Sequence, residues 1–142
     1  MKSADARLDD IVAEYAAREG PLLPILNAIQ AEYGCIDEAA KRHVAHALNL
    51  SRAEVHGVVS FYHDLRNAPA IRPILKLCRA EACQARGSDA LAMKAEKLAE
   101  GKAEIEPVYC LGLCSVGPNA MIGDEVYARL NEAAIAALIE AL

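Results

Sequence analysis

The sequence predicts an α+β protein in which a helical bundle is followed by a small α/β domain. Apolar residues in the first half recur at helical spacing, whereas short apolar runs alternate with a helical pattern in the second half. Pro69 and Pro73 fall between the two halves and interrupt both patterns. We therefore predict a helical domain at residues 1–66 and an α/β domain at residues 67–142.

The first domain is predicted to contain four helices whose apolar residues recur three and four positions apart. Proline suits the first turn of a helix, glycine suits its end, and Asp or Ser can cap its first amides. Phe61 and Tyr62 fall on the predicted inner face of the fourth helix, where we expect core packing. The residues that start or end these helices are Leu8 and Gly20, Pro21 and Gly34, Asp37, and the capping box of Ser51 and Glu54.

The second domain is predicted to contain a strand, a helix, a second strand, a hairpin and a last helix. The first three elements imply a right-handed parallel crossover. Gly123 and Asp124 separate two short apolar runs and predict a two-residue hairpin turn. The predicted elements are the strand Ile74–Cys78, a helix capped by Ser88 with Leu91, Ala95 and Leu98 inside and Gly101 at its end, the strand Ala103–Cys110, the hairpin strands Ala120–Ile122 and Glu125–Tyr127, and a helix capped by Asn131.

Composition and charge exclude several classes of function. The chain has 142 residues, 20 acidic and 15 basic, and a formal net charge of -5. This balance predicts no basic surface for nucleic acid or anionic lipid. The amino-terminal residues lack the apolar run of a secretion signal, and the longest uncharged stretch, residues 107–123, contains prolines and glycines. We therefore expect a cytoplasmic protein with no membrane span and no nucleic-acid partner.

Four of the five cysteines form two closely spaced pairs in the second domain. Cys78 and Cys83 follow the first predicted strand, and Cys110 and Cys114 follow the second. Because neighbouring strands of a small sheet end at the same edge, the two loops can bring four sulfurs to one point. In a reducing cytoplasm such cysteines are more often metal ligands or catalytic groups than disulfides.

Four thiolates can hold either one tetrahedral zinc ion or a 2Fe-2S cluster. Gaps of four and three residues favour the cluster, although thiol chemistry and inert buried cysteines remain open. A cluster needs amide dipoles or cations nearby, and we expect Gly112 and Gly117 to let the backbone approach the sulfurs. Arg79 and Arg86 are candidate cations, unless they are ordinary surface arginines. Arg79 can also pair with Glu81 above the site.

The remaining cysteine and the histidines are not predicted to bind metal. Cys35 has no cysteine neighbour in the sequence, so we expect an unliganded and at least partly buried thiol. His43 and His46 lie three residues apart on one helix without further ligands, and we expect surface or capping positions for them. The same expectation applies to His56 and His63.

Four segments combine into one recognisable pattern. They are Pro24–Gly34, Val55–Tyr62, Cys78-x4-Cys83 and Cys110-Leu-Gly-Leu-Cys114. The pattern resembles the thioredoxin-like 2Fe-2S subunits that accompany the flavin subunit of respiratory NADH dehydrogenase and its relatives. This resemblance implies a thioredoxin-like ferredoxin domain after the helical bundle, with one 2Fe-2S cluster bound by Cys78, Cys83, Cys110 and Cys114.

Within this family, Cys78-Arg-Ala-Glu-Ala-Cys-Gln84, the short interval between the cysteine pairs and the lack of a C-terminal extension most resemble the gamma subunits of cytosolic NAD-dependent formate dehydrogenases. The resemblance implies a one-electron transfer subunit beside a partner that binds FMN and NAD, with a larger molybdenum-containing formate dehydrogenase subunit in the same complex. The equivalent subunit of NADH dehydrogenase or NAD-linked hydrogenase is one alternative, and a zinc-stabilised interaction module is another. A thiol oxidoreductase is disfavoured because no C-x-x-C motif opens a helix after the first strand.

Overall fold

The computed structural model describes residues 4–142 of the chain. The prediction that the chain lacks a secretion signal concerns its first residues. Residues 1–3 of that segment lie outside the described residues. Seven α-helices and a four-stranded sheet give the described chain the predicted α+β fold. The chain divides into two compact units between Ala70 and Ile71. Within residues 4–142, every helix is too short or too polar to cross a lipid bilayer.

The first unit contains four helices, and most of their ends follow the predicted capping. Asp37 accepts a hydrogen bond from the amide of Ala40 at the start of the third helix. Ser51 and Glu54 form a complete capping box. Gly34 ends the second helix at a φ of 76°, which glycine adopts without strain. The helices are α1 (Ala4–Tyr15), α2 (Leu22–Tyr33), α3 (Glu38–Ala47) and α4 (Arg52–Phe61).

Helix α1 differs from the prediction at both ends. It begins at Ala4 rather than near Leu8, and it ends at Tyr15 rather than at Gly20. The amide of Arg18 donates to the carbonyl of Tyr15, three residues back. The helix therefore tightens into turns before it reaches the glycine.

Phe61 and Tyr62 do not pack into the core, which corrects the prediction for both residues. Phe61 is 75% exposed and Tyr62 is 43% exposed, and their rings pack edge to face at 5.3 Å. The buried face of α4 is formed by Val55 and Val59. A helix rotates by about 200° over two residues, so Phe61 points away from the face that carries Val59.

Lys41 is a buried cation in the first unit, with only 2% of its surface exposed. Its ammonium group donates to a carboxylate oxygen of Glu38 at 2.7 Å and to Oδ1 of Asn67 at 2.5 Å. A buried charge is costly without such partners. These bonds hold the segment that follows α4 against α3, and the hydrogen bond from Lys41 lowers the pKa of the Glu38 carboxyl.

The second unit is built on one mixed sheet. Its elements are β1 (Ile74–Cys78), α5 (Glu81–Gln84), α6 (Ser88–Leu98), β2 (Glu104–Val108), β3 (Ala120–Ile122), β4 (Glu125–Tyr127) and α7 (Glu132–Glu140). The strand order is β2-β1-β3-β4, with β1 parallel to β2 and antiparallel to β3. The hairpin of β3 and β4 turns at Gly123, and Asn131 caps α7 through the amide of Ala134, both as predicted.

Alanines take up much of the core of the second unit. Ala92 and Ala95 of α6 are buried in one apolar cluster with Leu75 and Leu77 of β1 and Ile135 of α7. Small side chains at these helix positions let α6 approach the sheet closely.

The first half of the second unit differs from the prediction in four ways, the first being that α6 ends at Leu98 rather than at Gly101. The helix α5 occupies the first cysteine loop, where we predicted no element. Ser88 is the first residue of α6 rather than its cap, and its buried hydroxyl has no hydrogen-bond partner. Leu98 is exposed because it lies outside the buried face of α6. That face comprises Leu91, Ala92, Ala95 and, just after the helix, Ala99.

Candidate metal centre

The two cysteine loops leave the same edge of the sheet. Cys78 is the last residue of β1 and lies opposite Val108, the last residue of β2. The amide of Arg79 donates to the carbonyl of Val108 at 2.8 Å, so the pairing extends one residue into the loop. Because β2 covers only Glu104–Val108, it is shorter than the predicted strand Ala103–Cys110, and Cys110 lies in the loop beyond it.

The structure places the four predicted ligands in two neighbouring pairs at one edge of the sheet. The amide of Cys110 donates to Sγ of Cys78 at 3.3 Å, which joins the two loops directly. The sulfurs of Cys110 and Cys114 are 3.5 Å apart. The thiols of Cys78 and Cys83 lie close enough to shift each other's pKa, which is lowered for Cys78 and raised for Cys83. The sulfurs thus form two pairs, one from each loop. Among residues 4–142, no three His, Cys, Asp or Glu side chains converge as a site for a single metal ion.

Burial and hydrogen bonding give the thiols different pKa values. Burial acts to raise the pKa of Cys78, but hydrogen bonds from the amides of Ala80 and Cys110 lower this pKa below its usual value. Burial, together with the hydrogen bond to Cys78, raises the pKa of the Cys83 thiol. Cys114 is exposed, and hydrogen bonding and charge repulsion from Cys110 raise its pKa. Cys78 therefore ionises more readily than Cys83 or Cys114.

The second cysteine loop combines backbone strain with a donor aimed at sulfur. Cys110 has a φ of 81°, a conformation that costs a non-glycine residue about 1–2 kcal/mol. Gly112 has a φ of 80°, which glycine accepts, and its amide donates to Sγ of Cys110 at 3.4 Å. Strain of this kind is concentrated at functional sites.

Gly117 lies directly against a buried sulfur. A Cβ atom at this position would stand 3.0 Å from Sγ of Cys83 and 3.3 Å from Cδ of Arg86. The φ of Gly117 is -66°, so the close approach and not the backbone conformation requires glycine here. The predicted role of Gly117 is confirmed. At Gly112 a Cβ would meet nothing within 4 Å, so the positive φ requires glycine there, and the amide of Gly112 approaches the sulfur of Cys110 as predicted.

The two candidate cations, Arg79 and Arg86, have different surroundings. Arg79 donates from Nε to a carboxylate oxygen of Asp89 at 2.7 Å, and the side chains are 32% and 53% exposed. The predicted pairing of Arg79 with Glu81 is replaced by this salt bridge, because Asp89 lies in the first turn of α6. Arg86 packs its aliphatic part beside Gly117 and therefore lies close to Cys83.

The donor set fits a 2Fe-2S cluster. Four cysteine sulfurs in two pairs are the ligand set of such a cluster, which takes two protein ligands on each iron. Amide donors already point at two of the sulfurs, and such donors offset negative charge on a metal-thiolate site. Cys78 and Cys83 are buried, whereas Cys110 and Cys114 are exposed. One side of the site is therefore shielded from water and the other is open.

The cysteine and the histidines that are not predicted to bind metal lie in the first unit. Cys35 is a free, partly buried thiol there. His43 pairs with Asp9 at 3.0 Å, and Nδ1 of His56 is 3.5 Å from Nζ of Lys41.

Two residues near the sulfurs were missed by sequence reasoning. Asp89 carries no signal in the sequence, because an acidic residue in a first helical turn is ordinary. Asn119 donates from its side chain to Sγ of Cys83 at 3.6 Å. It follows a proline, so the sequence indicates only a turn at this position.

Comparison with known families gives a match over nearly the whole chain. The family model described as thioredoxin-like [2Fe-2S] ferredoxin matches residues 8–142. The chain is similar to a NADH-quinone oxidoreductase subunit of Buchnera aphidicola subsp. Baizongia pistaciae, with 26% identity over 92% of this chain and 82% of that protein. The corresponding subunit of Escherichia coli K12 is 28% identical over 81% of this chain and 75% of that protein.

Two hydrogenases are also similar to this chain. The HndA subunit of the NADP-reducing hydrogenase of Solidesulfovibrio fructosivorans is 28% identical over 80% of this chain and 72% of that protein. The crystal structure of an NAD+-reducing [NiFe]-hydrogenase in the H2-reduced state contains a similar fold, with a TM-score of 0.67 and 26% identity over 81% of this chain. The present chain spans 21% of the length of that hydrogenase chain.

Proposed function

The chain belongs to the thioredoxin-like [2Fe-2S] ferredoxin family, and we propose that it is a one-electron transfer subunit that carries one 2Fe-2S cluster beside a flavin-containing partner. The observation that carries this proposal is the meeting of four cysteine sulfurs, in two pairs, at one edge of the sheet. Its relatives are subunits of oxidoreductases and hydrogenases, which supports a role in electron transfer.

The proposed ligands are Cys78, Cys83, Cys110 and Cys114, and the cluster would supply the ability to accept and release one electron at a time. The chain itself shapes that chemistry. The amide of Cys110 donates to the sulfur of Cys78, and the amide of Gly112 donates to the sulfur of Cys110. These bonds stabilise negative charge on the sulfurs. The exposed pair of Cys110 and Cys114 leaves a side from which an electron partner can approach.

We propose NAD-dependent formate dehydrogenase as the parent complex. The support is the segment Cys78-Arg-Ala-Glu-Ala-Cys-Gln84, which resembles gamma subunits of that enzyme. The partners would then be a subunit that binds FMN and NAD and a larger molybdenum-containing subunit, all in the cytoplasm. In this proposal the domain of residues 67–142 carries the cluster, and the domain of residues 1–66 is a separate helical module.

A second candidate is the equivalent subunit of a NADH dehydrogenase or of an NAD-linked hydrogenase. The similarity to subunits of NADH-quinone oxidoreductases and to the two hydrogenases favours this candidate. Both candidates share the cluster and the flavin partner, and they differ in the substrate that supplies the electrons.

The parent complex can be identified by purifying it from its own cells through a tag on this chain. Under anaerobic conditions the complex is given NADH, formate or hydrogen, and the reduced cluster is followed by electron paramagnetic resonance (EPR). The proposal predicts a reduced 2Fe-2S signal with NADH and with formate. Reduction by hydrogen but not by formate would indicate the hydrogenase, and reduction by NADH alone would indicate NADH dehydrogenase. A complex without any such signal would contradict the electron-transfer role.

Ligand variants test the site within the same complex. Cys83→Ser and Cys114→Ser are expected to lose most of the cluster, because each removes one of four iron ligands. Cys35→Ser is the matched control, since it removes a thiol from the other unit, and it is expected to keep the cluster. Equal iron and sulfide contents in all three variants would contradict the ligand assignment.

A further inference from the structure

Asn119 is a buried polar residue that contacts both cysteine loops. It is 1% exposed and lies just before β3. Its backbone carbonyl accepts a hydrogen bond from the amide of Cys78 at 2.8 Å. Its side-chain Nδ2 donates to the carbonyl of Leu113 at 2.8 Å and to Sγ of Cys83 at 3.6 Å. One residue therefore holds the end of β1, a sulfur of the first loop and the backbone of the second loop.

The orientation of the Asn119 amide is fixed by its partners. The carbonyl of Leu113 can only accept a hydrogen bond, so the nitrogen and not the oxygen of the amide must face it. The same nitrogen has a second N–H, which is directed at Cys83. The amide oxygen, Oδ1, is buried without any hydrogen-bond partner. A buried acceptor without a partner costs stability and calls for an explanation.

The close packing around Cys83 leaves little freedom for its sulfur. Gly117, two residues before Asn119, approaches the same sulfur so closely that a Cβ would stand 3.0 Å from it. The segment of residues 117–119 thus supplies both a steric wall and a hydrogen-bond donor to one sulfur. The side-chain donor of Asn119 complements the backbone donors that serve Cys78 and Cys110.

We propose that Asn119 is a positioning residue of the cluster site, which fixes the sulfur of Cys83 and favours the reduced state through its side-chain N–H. This inference rests on the proposed function, because its effect requires a bound cluster. An N–H directed at a ligating sulfur stabilises added negative charge there, and reduction adds such charge. Loss of the side-chain donor therefore lowers the midpoint potential and leaves the sulfur of Cys83 less firmly positioned.

The test uses the full chain reconstituted anaerobically with iron and sulfide. Asn119→Leu keeps a side chain of similar size and the backbone amide that also acts on Cys83, but it has no side-chain donor. Ser88→Ala is the matched control, since Ser88 is equally buried in the same unit and its hydroxyl has no partner. Two quantities are measured for each protein, namely the midpoint potential by redox titration and the rate of cluster loss to an iron chelator.

For Asn119→Leu we expect a fivefold shift of the reduction equilibrium toward the oxidised state, which corresponds to a midpoint lower by about 40 mV at about 59 mV per tenfold. Cluster loss is expected to be several times faster, and Ser88→Ala is expected to match the wild type. Faster loss with an unchanged midpoint would overturn the proposed hydrogen bond to sulfur, because a purely structural role predicts that result. A wild-type chain that binds no cluster would overturn the proposed function itself.

A second measurement needs no variant and covers the case in which Asn119→Leu does not fold. The wild-type chain is prepared with asparagine labelled with 15N in the side-chain amide, and the reduced cluster is examined by pulsed EPR. The proposal predicts a 15N coupling from the amide of Asn119. A reduced cluster with no such coupling would overturn the inference while leaving the proposed function intact.

Discussion

The guanidinium group of Arg79 forms a salt bridge with Asp89 and so does not stand as a free charge beside the sulfurs. Both side chains are partly exposed, and ion pairs of this kind contribute about 0.2–1 kcal/mol. The field of the arginine at the cluster is therefore partly cancelled by the carboxylate. Removal of one partner is therefore expected to strengthen the field of the other at the cluster.

Single substitutions in this pair are expected to move the midpoint potential of the cluster in opposite directions. Arg79→Ala removes positive charge and lowers the potential, whereas Asp89→Asn removes negative charge and raises it. The expected size is about 10–40 mV, which corresponds to about 0.2–1 kcal/mol. Redox titration measures both shifts, with Arg72→Ala as an exposed arginine control. Shifts of the same sign in the two variants would contradict this account.

Gly117→Ala is expected to weaken the metal centre. The added Cβ would press on the sulfur of Cys83, and overpacking of this kind costs about 1–3 kcal/mol. We expect faster cluster loss to a chelator and a lower melting temperature. The matched control is Gly57→Ala, since a Cβ there meets nothing within 4 Å and alanine favours the helix. Equal behaviour of the two variants would show that the close approach of Gly117 has no consequence.

In the helices and strands, features that depend on neighbouring residues are predictable from the sequence. Features that depend on tertiary packing are not. The caps at Asp37, Ser51 and Asn131 depend on neighbours within three residues, and all three were predicted. The outward direction of Phe61 depends on which face of α4 the rest of the bundle covers, and it was not predicted.

The candidate site follows the same rule. Spacing within the loops predicted the two cysteine pairs, and the parallel pairing of β1 and β2 explains why they meet. The contact of Asn119 with Cys83 joins residues 36 positions apart, so no local pattern announces it.

The pair of Glu38 and Lys41 in α3 is expected to make the stability of the fold depend on pH. The hydrogen bond from Lys41 lowers the pKa of the Glu38 carboxyl in the folded chain. A lowered folded pKa stabilises the fold above the unfolded value of about 4.3, and this stabilisation is lost as the pH falls through the folded value. Glu38→Gln should therefore cost stability at pH 7 and show a smaller further loss between pH 5 and pH 3.

Urea unfolding at several pH values measures this difference. Glu19→Gln is the control, because it removes an exposed carboxylate from the same unit without touching Lys41. An acid limb of unchanged size in Glu38→Gln would contradict the role given to this pair.

At the scale of the whole molecule, the two units have separate apolar cores. The second unit has about 70 residues and an alanine-rich core, and domains of this size bury little apolar area. Ligation of a cluster by four of its cysteines should therefore contribute to its folding. The first unit contains none of these four ligands and should not depend on the cluster.

Removal of the cluster is expected to loosen the second unit and leave the first unit unchanged. Hydrogen exchange measured by mass spectrometry should show faster exchange in residues 78–83 and 110–119, whereas α2 to α4 should keep their protection. Loss of protection in the first unit, or no change in the second unit, would contradict the separate role of the two cores.

Cys78, Cys83, Cys110 and Cys114 are the proposed ligands of a two-iron cluster. The most direct measurement is the iron, sulfide and zinc content of the anaerobically purified chain, combined with Mössbauer spectroscopy. We expect about two irons and two sulfides per chain, with each iron in a tetrahedral sulfur environment. One zinc ion per chain without sulfide, or a natively folded chain without metal, would contradict it.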